Sequence, residues 1–168
     1  MVVTDVYAPS VEAILSAYPQ VQVVGSTDEL VASAIDVYAP CAMGGILSAA
    51  TIPELRCAAV VGSANNQLAD AASAGLLARA GVLYAPDFVI NAGGLINVED
   101  ELRGYDRARA MQKVEQIYKQ LQLIFAIGRE RGISTAQAAT EFAEERIRKI
   151  SRIRLVRVTE YGPLSAHH

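Results

Sequence analysis

Tryptophan is absent from the 168 residues, and there are only two cysteines, Cys41 and Cys57. Two cysteines are too few for the disulfide framework of a small secreted protein, and both lie among apolar residues. No apolar run approaches the ~20 residues needed to cross a bilayer, and the first residues lack the basic start of a secretory signal. These absences favour a soluble cytoplasmic protein with reduced thiols.

Basic residues are scarce in the first part of the chain. Residues 1–100 carry ten acidic side chains and two arginines, whereas residues 101–168 carry thirteen basic side chains and eight acidic ones. The formal net charge of −3 argues against a nucleic-acid-binding protein, which needs a positive surface. Hydrophobic residues make up 52% of the sequence, enough for one packed domain of ordinary size.

Short apolar runs alternate with helical patterns in the first half of the sequence. The runs predict strands at Met1–Thr4, Val21–Val24, Asp36–Tyr38, Ala58–Val61 and Val82–Tyr84. Helical patterns occupy 9–17, 27–33, 45–55 and 69–80, followed by 87–103, 106–131 and 134–151. Gly132 and Ser134 separate the last two helices as stop and N-cap. The alternation predicts an α/β fold with a doubly wound parallel sheet, followed by carboxyl-terminal helices.

The glycine-rich turn that opens a dinucleotide-binding fold is missing. That turn has the pattern G-x-G-x-x-G and leads into a helix whose amino end holds pyrophosphate. The sequence starts instead in a strand that ends at Asp5, as a second strand with a ribose-binding acid would, although Asp5 is also a suitable helix cap. The chain therefore reads as if its beginning were missing.

The expected organisation has three parts. Residues 1–103 form an incomplete Rossmann-type domain that lacks the first strand and the glycine-rich loop. Residues 104–152 form a carboxyl-terminal helical segment, and residues 153–168 form a tail.

Unusual residues cluster after the predicted strands, where parallel sheets bind ligands. Tyr-Ala-Pro occurs at 7–9, 38–40 and 84–86, and Gly44-Gly45 provides either close ligand approach or a simple turn. The consecutive amides at 65–67 suit a ligand with carboxamide and hydroxyl groups, or else an Asx-rich helix cap.

A second unusual stretch lies within the predicted helix at 87–103. Gly93 and Gly94 are adjacent there, at a cost of about 1 kcal/mol each relative to alanine. Another helix or a ligand is therefore expected to approach that backbone. Leu95 and Val98 share a helix face and, from the residues alone, read either as core or as the lining of a pocket.

Three segments, Asp36–Gly45, Gly62–Leu68 and Tyr84–Val98, resemble in order and spacing the leucine, phenylalanine and valine dehydrogenases of the glutamate dehydrogenase superfamily. Asp100–Tyr105 and Ala143–Arg146 are similar to the same family, and the resemblance covers about residues 1–150. It implies NAD-dependent oxidative deamination of a branched-chain or similar L-amino acid to the 2-oxo acid and ammonia. It also implies a homo-oligomer in full-length members, without nucleic-acid, membrane or metal partners.

The resemblance also implies roles for individual residues. Asp5 corresponds to the acid that holds the adenosine ribose, and Asn91 to an amide beside the nicotinamide. The implied NAD-binding residues are Asp5, Val6, Ala42, Met43, Ala64, Asn65, Asn66 and Asn91. The implied substrate-binding residues are Asn65, Leu95 and Val98. Cys41 is expected to be a small packing residue rather than a nucleophile.

The catalytic lysines and aspartate of the family belong to an amino-terminal domain without a counterpart here. No lysine precedes Lys113, and Lys113, Lys119 and Lys149 read as ordinary solvated residues on amphipathic helices. No catalytic residue is therefore assigned, and the chain is expected to be inactive alone. The alternative is a non-catalytic nucleotide-binding or oligomerisation module that acts beside another chain.

Two terminal features are expected to have no part in the chemistry. The basic segment Arg146–Arg157 has no interleaved aromatic residues and reads as a solvated helix face that touches another subunit. His167-His168 reads as an unstructured end.

Overall fold

A computed structural model describes residues 1–159, and the side chains of residues 1–152. Its strands are β1 (Val2–Val3), β2 (Gln22–Val23), β3 (Val37–Tyr38), β4 (Ala59–Val60) and β5 (Leu83–Tyr84). Each lies within a predicted run, and every pairing is parallel. The strands form two separate groups, β1–β2 and β3–β4–β5.

Seven α-helices accompany the strands in the described part of the chain. They are α1 (Ala8–Ala17), α2 (Thr27–Val31), α3 (Ala71–Arg79), α4 (Asp87–Ile90), α5 (Gly93–Glu101), α6 (Arg107–Arg131) and α7 (Thr135–Thr159). Gly132, at a φ of 64°, ends α6, and Ser134 Oγ accepts a hydrogen bond from Gln137 N–H at the start of α7. The predicted stop and cap are thus confirmed, although α7 continues past residue 151.

The prediction of a helix over 45–55 is wrong. Only a short 3-10 helix, Ile52–Glu54, forms there, while Leu47 pairs with Leu68 in a parallel bridge. Ser48 N–H donates to Thr51 Oγ1, and Thr51 Oγ1 donates to the carbonyl of Ile46. These side chains offer the backbone partners that compete with helical hydrogen bonds.

The helix predicted over 87–103 is divided. Asn91 and Ala92 separate α4 from α5, and Ala92 N–H bonds to the carbonyl only three residues earlier. Gly93 and Gly94, which follow, have low helix propensity, so they do not favour one continuous helix here.

Two apolar clusters hold the structure together. The larger one surrounds β3–β4–β5, where Val60 and Leu77 are completely buried. The smaller one lies between α6 and α7 around Ile124 and Ala138. Thr135 Oγ1 donates to the carbonyl of Tyr84 at 2.7 Å and so joins α7 to the carboxyl end of β5. Within residues 1–159, no helix has the length and apolarity needed to span a membrane.

Candidate functional site

Three loops follow β3, β4 and β5 at the carboxyl end of the larger strand group. We call residues 39–47 and 61–68 the β3 and β4 loops, and residues 85–92, which include the short helix α4, the β5 loop. Backbone hydrogen bonds join the first two: Ala64 N–H to the carbonyl of Pro40 at 3.0 Å, and Gly45 N–H to the carbonyl of Asn66 at 2.7 Å. The two loops therefore behave as one packed unit.

Two glycines allow this close packing. A Cβ at Gly62 would lie 2.1 Å from the carbonyl oxygen of Pro40, and one at Gly44 would lie 2.7 Å from that of Asn65. Gly45 is different, because its φ of 74° places it in the left-handed region with open space around it. Gly44 is thus required by close packing, and Gly45 by the turn conformation of the backbone.

An amide pair connects the β4 and β5 loops. Asn91 Nδ2 donates to Asn65 Oδ1 at 2.8 Å in an exposed position. The other amide oxygen, the other NH2 group and the second N–H of the donating amide have no hydrogen-bond partner among the described residues, whichever way the two amides are oriented. A primary carboxamide presents the complementary acceptor and donor.

Gln67 does not share the environment of its neighbours. Asn65 and Asn66 are exposed, whereas Gln67 is completely buried, so the expectation that all three amides face a ligand is wrong for Gln67. Gln67 Nε2 donates to the carbonyls of Gly62 and Ala64 at 2.7 and 2.9 Å. From the sequence, the one signal for a special role of Gln67 is its place in the run of three amides at 65–67.

A buried carboxylate joins the β4 loop to α4. Asp87 Oδ2 accepts from Gln67 N–H at 3.1 Å, and Asp87 Oδ1 accepts from the Tyr84 hydroxyl at 3.2 Å. Burial, together with the charge of Asp87, raises the pKa of Tyr84 well above its usual range. Tyr84 therefore stays protonated and remains a donor.

Asp5 and Val6 follow β1, which belongs to the smaller strand group, β1–β2. Asp5 Oδ1 accepts from Tyr7 N–H at 2.8 Å in the turn before α1, and no side chain caps the amino end of that helix. Val6 is fully exposed, and Ala42 and Met43 on the β3 loop are exposed as well. Only Asn65 and Asn91 among the implied cofactor residues are linked directly by a side-chain hydrogen bond.

The amino-terminal part of α5 presents an exposed apolar surface. Leu95 and Val98 are 73% and 55% exposed, which excludes the interpretation that they are core residues. A Cβ at Gly93 or Gly94 would meet nothing within 4 Å outside the local helix backbone. Packing against another described segment therefore does not require either glycine.

The other end of α5 is fixed by an ion-pair cluster. Asp100 is completely buried and accepts from Arg109 Nε and Nη2 at 2.6 and 2.9 Å, and from Asp106 N–H at 2.7 Å. The Arg109 guanidinium holds the pKa of Asp100 down at about 2. Lys113 pairs with Glu99 and lies 3.5 Å from Asp100, so the expectation of a merely solvated lysine is wrong here.

Comparison with known proteins identifies the family of this chain. The family model described as Glutamate/Leucine/Phenylalanine/Valine dehydrogenase matches residues 6–160. The chain belongs to this family. It is 50% identical to the leucine dehydrogenase of Geobacillus stearothermophilus over 119 residues, which are 71% of this chain and 32% of that protein.

Two further relatives are similar to a larger part of this dehydrogenase-family chain. A valine dehydrogenase of Streptomyces coelicolor is 47% identical over 148 residues, 88% of this chain and 41% of that protein. The crystal structure of L-tryptophan dehydrogenase from Nostoc punctiforme superposes with a TM-score of 0.85 at 43% identity, covering 90% of this chain and 45% of that one. The α/β architecture is therefore a partial Rossmann-like fold, and the chain spans less than half the length of these relatives.

Several other residues of this dehydrogenase-family chain lie outside the site. Cys41 is exposed, so the expectation that it packs in the interior is wrong, whereas Cys57 is half-buried and its pKa is raised by burial. The basic side chains at 146, 148, 149 and 152 are exposed on α7. Arg154, Arg157 and His167-His168 lie outside the side chains that the structure describes. Among the described residues, His, Cys, Asp and Glu form no group of three or more suited to a metal ion.

Proposed function

We propose that this chain is the NAD-binding portion of an NAD-dependent amino-acid dehydrogenase, acting on a branched-chain or similar L-amino acid to give the 2-oxo acid and ammonia. The observation that carries the proposal is the Asn65–Asn91 pair, whose remaining N–H group and oxygen match the acceptor and donor of a carboxamide. The dehydrogenase relatives support the same chemistry.

The residues around the pair fit such a cofactor. Asn65 and Asn91 are hydrogen-bonded, and together with Ala64, which is buried, and Asn66 they would hold the nicotinamide half. Asp5, Val6, Ala42 and Met43 follow β1 and β3 and would hold the adenosine half. Bound NAD supplies the hydride acceptor. Asn91 and Asn65 would fix the orientation of the carboxamide, and hence the ring face that is turned toward α5.

The exposed face of α5 fits an aliphatic side chain of the substrate. Leu95 and Val98 are three residues apart on one helix, so their side chains form a single apolar surface. Asn65 lies near this face in the proposed arrangement and would contact the substrate as well. An apolar wall discriminates weakly between leucine and valine, because one methylene changes binding by only about 1–3 kcal/mol.

We also propose that the chain has no dehydrogenase activity by itself. Hydrolysis of the imino acid needs a lysine-assisted water in this chemistry, and no lysine precedes Lys113, whose ammonium is paired with Glu99. The working enzyme would be a cytoplasmic homo-oligomer in which a further domain supplies the catalytic groups.

A calorimetric titration with NAD tests the cofactor proposal on the purified 168-residue protein, with circular dichroism to confirm folding. We expect saturable binding, weakened about tenfold by Asn91→Leu because two hydrogen bonds of the carboxamide site are disturbed. Asn97→Leu, on the same segment but outside the pair, is the matched control and should bind like the wild type. Folded protein without saturable binding would contradict the proposal.

Enzyme assays test the predicted inactivity. The pure protein with NAD and L-leucine or L-valine should form no NADH, because the proton-transfer groups are not in this chain. Measurable turnover, absent from a matched preparation of Asn65→Leu, would overturn this part of the proposal while supporting the site.

The paired glycines provide a third test. Gly94→Ala should keep or slightly raise the thermal midpoint, since alanine is favoured by up to about 1 kcal/mol in a helix and its Cβ meets open space. The same variant should weaken NAD binding if a ligand approaches this backbone. Unchanged affinity would show that Gly94 serves no ligand.

A further inference from the structure

The Asn65–Asn91 pair needs support from outside its own loops. The two residues are 26 positions apart on loops that follow different strands, and their contact is exposed. Asn66, directly after Asn65, has a φ of 53°, so no regular secondary structure continues through this turn. An exposed hydrogen bond between mobile amides contributes little by itself, because ordering the side chains opposes it.

The side chain of Gln67 supplies this support on the β4 loop. Its Nε2 group donates both of its hydrogens, to the carbonyl oxygen of Gly62 and to that of Ala64, which immediately precedes Asn65. The carbonyl of Gln67 accepts from Leu47 N–H at 2.9 Å. The backbone is therefore held on both sides of Asn65 by a single buried residue.

Asp87 supplies the support on the β5 side. Its Oδ2 accepts from Gln67 N–H, and its backbone carbonyl accepts from Asn91 N–H at 2.8 Å. Its Oδ1 accepts from the buried Tyr84 hydroxyl, so the carboxylate cannot turn away without losing a second partner. One residue thus bonds directly to both Gln67 and Asn91.

We propose that Gln67 and Asp87 are positioning residues that hold Asn65 and Asn91 at the separation a carboxamide needs. Neither residue touches the ligand in this scheme; both act through the amide pair. The identity of the ligand rests on the proposed function, whereas the positioning of the pair does not.

The unpaired oxygen of Gln67 makes a discriminating variant available. Gln67 Oε1 is buried and has no hydrogen-bond partner among the described residues. Gln67→Met has a similar length and removes both the useful donors and this unsatisfied acceptor, so its effect on stability is partly offset. Loss of positioning can then be measured in a folded protein.

Nuclear magnetic resonance of the ligand-free protein is the first measurement. We expect a nuclear Overhauser contact between the Asn91 side-chain amide protons and Asn65 in the wild type and in Gln137→Met, an exposed glutamine control on α7. Gln67→Met should lose this contact. Its persistence in Gln67→Met, or its absence from the wild type, would overturn the proposal.

Ligand titration is the second measurement and separates positioning from a general structural role. Gln67→Met should bind NAD about tenfold more weakly while binding ADP-ribose, which lacks the nicotinamide, with unchanged affinity. Equal weakening of both ligands would overturn the proposal. Failure of the wild type to bind NAD would contradict the proposed function, and the resonance measurement would still decide the positioning.

A second variant covers the case in which Gln67→Met does not fold. Asp87→Asn keeps the shape of the carboxylate but replaces one acceptor oxygen with a donor group. It should therefore lose one of the bonds to Gln67 N–H and Tyr84 and weaken the Asn65–Asn91 contact. An Asn65–Asn91 contact of wild-type intensity in Asp87→Asn would overturn the assignment of Asp87.

Discussion

Gly62→Ala should destabilise the protein by about 3 kcal/mol and lower its thermal midpoint by roughly 6–12 °C. The added Cβ would lie 2.1 Å from the carbonyl oxygen of Pro40 and 2.6 Å from its nitrogen. Both are backbone atoms, and the Pro40 carbonyl also accepts from Ala64 N–H, so no side-chain rotation relieves the contact. The β3 and β4 loops must separate, and the Asn65–Asn91 site is disturbed with them.

Gly75→Ala is the matched control for this substitution. Gly75 lies within α3, and its added Cβ would come no closer than 3.4 Å to the flexible end of Arg79. Alanine there should stabilise the helix by up to about 1 kcal/mol. Thermal unfolding followed by circular dichroism compares the two variants. Wild-type stability in Gly62→Ala would show that the loops are not in tight contact.

Asp100→Asn should lower the thermal midpoint by roughly 10 °C at neutral pH, because Arg109 and the Asp106 N–H lose the buried carboxylate that accepts from them. The wild-type dependence on pH follows from the same group. The pKa of Asp100 is about 2 in the folded protein, against an ordinary value of 3.8. As the pH falls through this window the unfolded chain binds the proton first, so stability is present above the window and lost within it.

Denaturant titrations across this pH range check the second expectation. The wild type should lose stability more steeply than Asp100→Asn as the pH falls from 3.8 to about 2. Glu145→Gln is the control, since Lys149 also lowers the pKa of Glu145 but on an exposed helix face, where an ion pair stabilises little. Parallel curves for wild type and Asp100→Asn would show that Asp100 does not carry the effect.

Local sequence determined most of the elements of this protein. The five valine-containing runs became strands because they are short, mostly apolar and bounded by turn residues. The end of α6 and the start of α7 were equally local, since Gly132 adopts a positive φ and Ser134 caps the next turn. The motif segments were sufficient to indicate the dehydrogenase family before any contact was known.

Tertiary structure alone decided which of those residues form the site. Asn65 and Gln67 are chemically alike and two positions apart, yet Asn65 is exposed, whereas Gln67 is buried and its backbone N–H bonds to Asp87, 20 residues away. The pairing of Leu47 with Leu68 likewise replaced a helix that the local pattern favoured. Helix propensities and helix caps depend on residues only a few positions apart, so they can be predicted from the sequence. Burial and hydrogen-bond partners depend on which distant segments meet, and this is fixed only when the loops pack together.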